Sequence, residues 1–299
     1  MFTGLSAFPL TPVNELSIDE ASFIGLIERL VEANVNSITV LGSTGCYPYL
    51  SGKERLLTAK NAIDTAVNIP VVVGISALRT KDVLALAYDA QKAGAKGLLL
   101  SPMSYQKLTD DEVFSHFETV SRNISLPLCV YENPTTTNFV FSDELYVRIT
   151  ELKNIASIKI PPLPNDNKQA VARVNNLRLQ IPAHVTIGIS GDYSGALGMN
   201  AGCDVWYSAL GGLLPNPILE IINASKNGQS EEANQISAKL EPIWKLFRQY
   251  GSLRVIATIA ELMGLVKTPC LPMPLKSLIN EDRNLIQRIV EKQNFIIIG

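Results

Sequence analysis

The chain reads as a single (β/α)8 barrel with a helical carboxy-terminal extension, and three observations lead there. Short apolar runs alternate with longer helical patterns through about the first 210 residues. Several of those runs are apolar on both faces, as parallel strands must be when helices cover one side and barrel filling the other. The first run is not followed by the glycine-rich turn that a doubly wound open sheet would carry. Eight such units predict closure into a barrel, and a length of 299 residues suits one domain of that kind.

Taken in order, the strands are expected at 5–8, 37–41, 71–75, 97–100, 128–131, 155–160, 185–189 and 205–208. Between them the helix signals are local. Ser17-Ile18-Asp19-Glu20 has the form of a capping box, in which side chains at both ends satisfy orphan backbone N–H groups. It precedes an apolar stripe at Phe23, Leu26, Ile27, Leu30 and Val31, which is helical spacing. Ser51 with Glu54, and Thr109 with Glu112, repeat the signature. Ala93-Gly94 and Ala201-Gly202 read as helix ends leading into strands. After Leu214-Pro215 the strands stop. Helical periodicity over 218–247 is interrupted at Lys226-Asn227-Gly228, and 252–265 makes another helix. Prolines 269, 272 and 274 impose an extended crossing before a last helix over 281–293. Residues 1–215 are thus expected to form the barrel and 216–299 a helical extension packed on it, as one structural unit.

Composition removes several classes of function. A formal net charge of -2 with no basic block argues against nucleic acid, because phosphate binding needs clustered Lys and Arg. No apolar run approaches the roughly 20 residues needed to cross a bilayer, and the opening MFTGLSAFPLTP lacks the regions of a secretory signal. Cys46, Cys129, Cys203 and Cys270 show neither disulfide nor zinc spacing, so the cytoplasm is the expected compartment. With His116 and His184 as the two histidines, a histidine-based metal centre or a Ser-His-Asp triad has little to build on, and no metal is expected.

In a barrel the reactive groups come from the carboxy-terminal ends of the strands. The sixth strand ends in Ile155-Ala-Ser-Ile-Lys159-Ile160, where Lys159 is the one charge in an apolar run. Burial disfavours the ammonium and lowers its pKa, leaving a neutral amine able to attack a carbonyl. A strand-end lysine whose head reaches solvent is the competing interpretation. Gly42-Ser43-Thr44-Gly45, after the second strand, offers hydroxyls and successive N–H groups that can nest a carboxylate. It lacks the Gly-Lys-Ser/Thr ending of a Walker loop, and an ordinary strand-to-helix turn also fits. Tyr131, at the end of the fifth strand, can relay protons or be a core tyrosine with its hydroxyl satisfied. Cys46 is either a reactive thiol at a helix amino terminus or a small buried hydrophobe.

Together these segments resemble the dihydrodipicolinate synthase and N-acetylneuraminate lyase family of class I pyruvate aldolases. The resemblance runs over nearly the whole chain, from Gly4 and Thr11-Pro12 through Gly42-Ser43-Thr44-Gly45, Tyr131-Glu132-Asn133-Pro134, Ile158-Lys159 and Ser190-Gly191-Asp192 to Leu271-Pro-Met-Pro-Leu275. It implies that Lys159 forms an imine with pyruvate or a related 2-oxo acid and that Tyr131 shuttles the protons. Ser43 and Thr44 would hold the carboxylate, and Ser43 would link Tyr131 to a relay. Trp206 would offer a backbone carbonyl near the bound acid. The covalent imine on Lys159 then makes an organic cofactor unnecessary. The partners implied are a 2-oxo acid and an aldehyde, and the assembly a homodimer or homotetramer.

The departures concern the second substrate. Cys46-Tyr47 stands where the family has Glu followed by Ser or Thr. Thr136 stands where the synthases carry an arginine that grips a carboxylate, and Thr cannot make that bidentate pair. Ser104 takes the place of a relay tyrosine lent across a subunit interface, with Tyr105 displaced by one residue. The expectation is a Schiff-base aldolase or lyase whose aldehyde is not aspartate semialdehyde. The alternatives are dihydrodipicolinate synthase proper and a non-catalytic barrel that binds a keto acid. A barrel for phosphorylated sugars is disfavoured, since no glycine-rich phosphate loop follows the seventh or eighth strand.

Overall fold

The computed structural model of the chain describes residues 1–292. Eight parallel strands close in sequence order into a TIM barrel: β1 (Gly4–Ala7), β2 (Ser37–Val40), β3 (Val71–Gly74), β4 (Gly97–Leu100), β5 (Leu128–Tyr131), β6 (Ile155–Ile160), β7 (Thr186–Ile189) and β8 (Val205–Ser208). β8 pairs back onto β1 in the register Leu5 to Trp206. The apolar runs close because each strand is buried on both faces, Ala156 and Thr186 excepted. Two apolar bodies result. One lies between strands and helices; the other, made of Phe2, Phe8, Val72, Leu99, Cys129, Tyr131, Val205 and Tyr207, fills the barrel.

The helices begin largely where their caps predict. Ser51 and Thr109 each form a complete capping box, with Glu54 and Glu112 reaching back to the cap. The first box does not form. The helix Glu20–Glu32 is capped by Asp19, whose carboxylate accepts from the Ser22 amide, while the Ser17 amide turns to Asn14. The reason is the antiparallel bridge between Val13 and Ile18, which keeps the chain extended past Ser17 and leaves the adjacent carboxylate to meet the helix end. Gly94 closes the helix Thr80–Ala93 in the left-handed region, at φ 102°.

Beyond β8 the chain is helical: Pro215–Lys226, Ser230–Lys239, Glu241–Tyr250, Ser252–Leu262 and Asn280–Lys292. The break at Lys226-Asn227-Gly228 occurs as the sequence predicts. A second break at Leu240 does not follow from the periodicity; Pro242, in the first turn of Glu241–Tyr250, cannot continue the preceding helix. Gly264, at φ 67°, ends the helical path short of residue 265. Gln293, the expected end of the last helix, lies outside the described residues. Apolar residues of these helices, from Ile218 to Val290, join the same body that surrounds the barrel. Among the described residues no helix is long and apolar enough to cross a membrane.

Candidate active site

At the carboxy-terminal mouth of the barrel Lys159 lies against Tyr131, and Tyr131 against Ser43. Strand pairing sets Lys159 beside Tyr131 on β5 and beside Gly188 on β7. Lys159 is 4% exposed, which removes the solvent-reaching alternative. Its ammonium stands over three rings: Tyr131 at 3.7 Å from the centroid, Phe8 at 4.2 Å and Tyr207 at 5.8 Å. Burial is the main influence and pulls the amine down to about 7, while Cys129 and the Asp192 carboxylate push the other way. The rings favour the cation, but they do not outweigh its desolvation.

Gly42-Ser43-Thr44-Gly45 is a tight turn packed against the end of β1. A Cβ on Gly42 would come within 2.6 Å of the Phe8 ring, so glycine is needed there for close approach. The Gly45 and Cys46 amides turn back onto the carbonyls of Gly42 and Ser43. The amides of Ser43 and Thr44 make no hydrogen bond among the described residues, and Thr44 is 4% exposed. Behind the turn, the buried Arg55 guanidinium donates to the carbonyls of Gly74 and Ser76 and lies 5.4 Å from the Tyr47 ring centroid. Cys46 is fully buried and its thiol is pushed up to about 12 by burial, so the inert interpretation holds for it.

The Tyr131 hydroxyl lies 3.3 Å from Ser43 Oγ and accepts from Asn133 Nδ2 at 2.8 Å. Asn133 Nδ2 also reaches Ser43 Oγ at 3.2 Å, and its Oδ1 accepts from the Thr135 hydroxyl at 2.9 Å. Burial pushes the Tyr131 phenol up to about 12, against the lowering effect of Ser43 and Asn133. Tyr131 is thus protonated at neutral pH and able to pass that proton on.

The loop beyond Tyr131 is fastened at both ends. The Asn133 carbonyl accepts from the amides of Thr136 and Thr137, both at 3.0 Å, and from the Thr137 hydroxyl at 2.9 Å. The buried Glu132 carboxylate accepts from the Phe141 amide at 3.1 Å and from the Tyr146 hydroxyl. Thr136 is exposed in the short helix Pro134–Thr137. Ser104 and Tyr105 are not brought to Tyr131 within the chain: the Ser104 hydroxyl donates to the Gln106 carbonyl at 2.6 Å, and Tyr105 is 90% exposed.

Trp206 has its indole on the helix side of β8, where Val205 and Tyr207 face the barrel filling. The indole N–H donates to Asp192 at 2.8 Å, and the other oxygen of that carboxylate accepts from the Leu210 amide at 2.9 Å. Asp192 is 3% exposed, and burial raises its pKa. Sequence reasoning assigned no role to Phe8, Asn133, Asp192 or Tyr207. Asn133 and Asp192 stood within quoted motifs; Phe8 and Tyr207 carried no signal beyond apolarity at strand ends. Among the described residues no group of three or more His, Cys, Asp or Glu side chains is gathered as a metal site.

With this geometry in place, comparison with known proteins is informative. The model of the Dihydrodipicolinate synthetase family matches residues 1–293. A 4-hydroxy-tetrahydrodipicolinate synthase of Persephonella marina is 29% identical over 99% of this chain and 100% of its own length. One of Rickettsia rickettsii is 26% identical over 97% of each. Among solved structures, a dihydrodipicolinate synthase of Agrobacterium tumefaciens superimposes with a TM-score of 0.93 at 42% identity, covering 97% of both chains.

Proposed function

This chain belongs to the dihydrodipicolinate synthetase family of class I, pyruvate-dependent lyases, and from that membership and the surroundings of Lys159 we propose that it joins pyruvate to an aldehyde through an imine on Lys159. The observation that carries the proposal is a buried amine brought down to about 7, with a protonated phenol against it. At neutral pH about half of Lys159 is unprotonated and able to attack the ketone carbon of a 2-oxo acid. Tyr131 gives its proton to the departing carbinolamine hydroxyl, and water leaves as the imine forms. The unbonded amides of Ser43 and Thr44 supply donors for the acid's carboxylate, and the backbone carbonyl of Trp206 on β8 is assigned to the bound acid from the family resemblance. Loss of a C3 proton then gives an enamine, which attacks the aldehyde carbon. The imine is the electron sink, so this chemistry asks for no metal or organic cofactor.

The names of the relatives favour the synthase proper, with aspartate semialdehyde as the aldehyde, over the expectation that excluded it. One observation supports a second reading. Thr136 is exposed, uncharged and placed where the synthases grip a carboxylate, which suits an aldehyde with a hydroxylated or apolar tail. The cytoplasm and a homodimer or homotetramer go with either reading. So does the extent of Ser104 or Tyr105 involvement, which depends on a neighbouring subunit.

Incubation with pyruvate and borohydride, followed by intact-mass analysis and peptide mapping, tests the proposal. A reduced pyruvyl adduct on Lys159, absent in Lys159→Ala, is the expected result; a folded protein with no adduct would overturn it. Solvent exchange of the bound pyruvate's methyl protons, read by NMR, separates an enzyme from a non-catalytic binder. Thr136→Arg is expected to raise kcat/KM with aspartate semialdehyde if the second reading holds. No gain would remove the Thr136 account and leave the synthase reading alone.

A further inference from the structure

We propose that Asn133 is a positioning residue that sets the direction of proton transfer at Tyr131; this rests on the reading that Lys159 forms the imine. Thr135 donates to Asn133 Oδ1 at 2.9 Å, so the amide presents its NH2 group to the site. Both N–H bonds of that group are then used, one on Tyr131 Oη at 2.8 Å and one on Ser43 Oγ at 3.2 Å. Each of these oxygens carries a single proton of its own and each is already an acceptor from Asn133. Their protons therefore point away from the amide. They point along the 3.3 Å contact between the two hydroxyls, or toward whatever is bonded to Lys159 beneath the Tyr131 ring.

In the enamine step the bond that breaks is C3–H. Its electron pair forms the C2=C3 bond, and the iminium pair returns to the Lys159 nitrogen. The C3 proton is taken by Tyr131 Oη, which lost its own proton to the departing carbinolamine hydroxyl, so the phenol is restored as the enamine forms. A donor fixed on the outer side of both oxygens leaves the inward path as the one open to those protons. All members of this arrangement come from one chain: Ser43 from the turn after β2, Tyr131 from the end of β5, and Asn133 and Thr135 from the loop and short helix that follow it.

Asn133→Asp is the discriminating variant. Aspartate has the same shape and still accepts from Thr135, and no side-chain cap bond is lost at the start of the helix Pro134–Thr137, because Asn133 makes none there. A merely structural role therefore predicts wild-type behaviour for Asn133→Asp and damage for Asn133→Ala. The positioning role predicts the reverse order. A carboxylate at 133 accepts where the amide donated, so the Tyr131 proton turns outward to it. The experiment compares wild type, Asn133→Asp and Asn133→Ala by the fraction of pyruvyl adduct trapped after long incubation, and by the rate of methyl-proton exchange. Expected is an adduct fraction close to wild type in both variants. Exchange should fall by about 100-fold or more in Asn133→Asp, within the range for a misdirected general acid–base group, and by about 10-fold, less than that range, in Asn133→Ala. Adduct in the wild type with unchanged exchange in Asn133→Asp would overturn the positioning role alone. Absence of adduct in the wild type would overturn the imine reading and this inference with it.

Discussion

Replacing Lys159 by methionine should stabilise the protein, and by an amount that depends on pH in a defined way. The amine falls from an ordinary 10.5 to about 7 because burial penalises its charged form. At about 1.4 kcal/mol for each tenfold change, that gap corresponds to roughly 5 kcal/mol. The rings of Tyr131 and Phe8 are close enough to return about 1 to 2 kcal/mol to the cation, so a net cost of about 3 to 4 kcal/mol is the working figure. The sign follows from proton counting. Between pH 7 and 10.5 the unfolded chain holds a proton on Lys159 that the folded chain has lost, so wild-type stability rises with pH across that window. Below pH 7 both states are protonated and the full cost is present. Methionine fills a similar volume without a charge, so Lys159→Met should be the more stable protein by the full amount at pH 6. The difference should shrink steadily toward pH 10. Chemical denaturation of the two proteins at matched pH values reads it directly, because ionisations elsewhere cancel between them. A stability difference that is constant from pH 6 to pH 10 would refute the claim that the folded lysine is depressed.

Four further outcomes follow from the geometry. Tyr131→Phe keeps the ring over Lys159 and removes only the hydroxyl, so kcat should fall by about 10² to 10⁴ with little change in Tm. Asp192→Asn removes a negative charge that raises the Lys159 pKa, so the acid limb of adduct formation, near pH 7 in the wild type, should move to lower pH; a limb that stays in place would exclude that coupling. Gly195→Ala places a Cβ within 2.0 Å of the Trp206 indole and should cost about 1 to 3 kcal/mol. Gly25→Ala, in a helix with open space around it, should instead raise the melting temperature, by about 0.5 to 1 kcal/mol of stability.

The barrel was legible because its signals are local and repeated. Parallel strands buried on both faces announce themselves as apolar runs, and the caps at Ser51 and Thr109 need no information from elsewhere in the chain. Lys159 was legible for the same reason, as the one charge in such a run. The failures share a different cause. The cap at Asp19 instead of Ser17 depends on the bridge from Val13 to Ile18, which the helix signature does not contain. In a four-residue strand buried on both faces, apolarity cannot tell the barrel side from the helix side. Hence nothing in the sequence marked Tyr207, whose ring lies near Lys159 on the barrel side, and Trp206 entered only through the family resemblance and its backbone carbonyl. Asn133 was hidden because its amide is oriented by Thr135 through a turn whose shape no single residue signals.

The fastening of the loop after β5 bears on how such a chain changes its choice of aldehyde. Glu132 pins the far end through Phe141 and Tyr146, and the Asn133 carbonyl pins the near end through Thr136 and Thr137. The backbone path over 134–140 is therefore held from both ends. Thr136, exposed and contributing only a long 3.4 Å contact from its hydroxyl, is a position whose side chain the anchoring does not need. Substitutions there can accumulate without loosening Tyr131 or Lys159. Under the proposed function, imine chemistry and aldehyde preference would then be separable traits, the second open to exchange while the first is inherited intact.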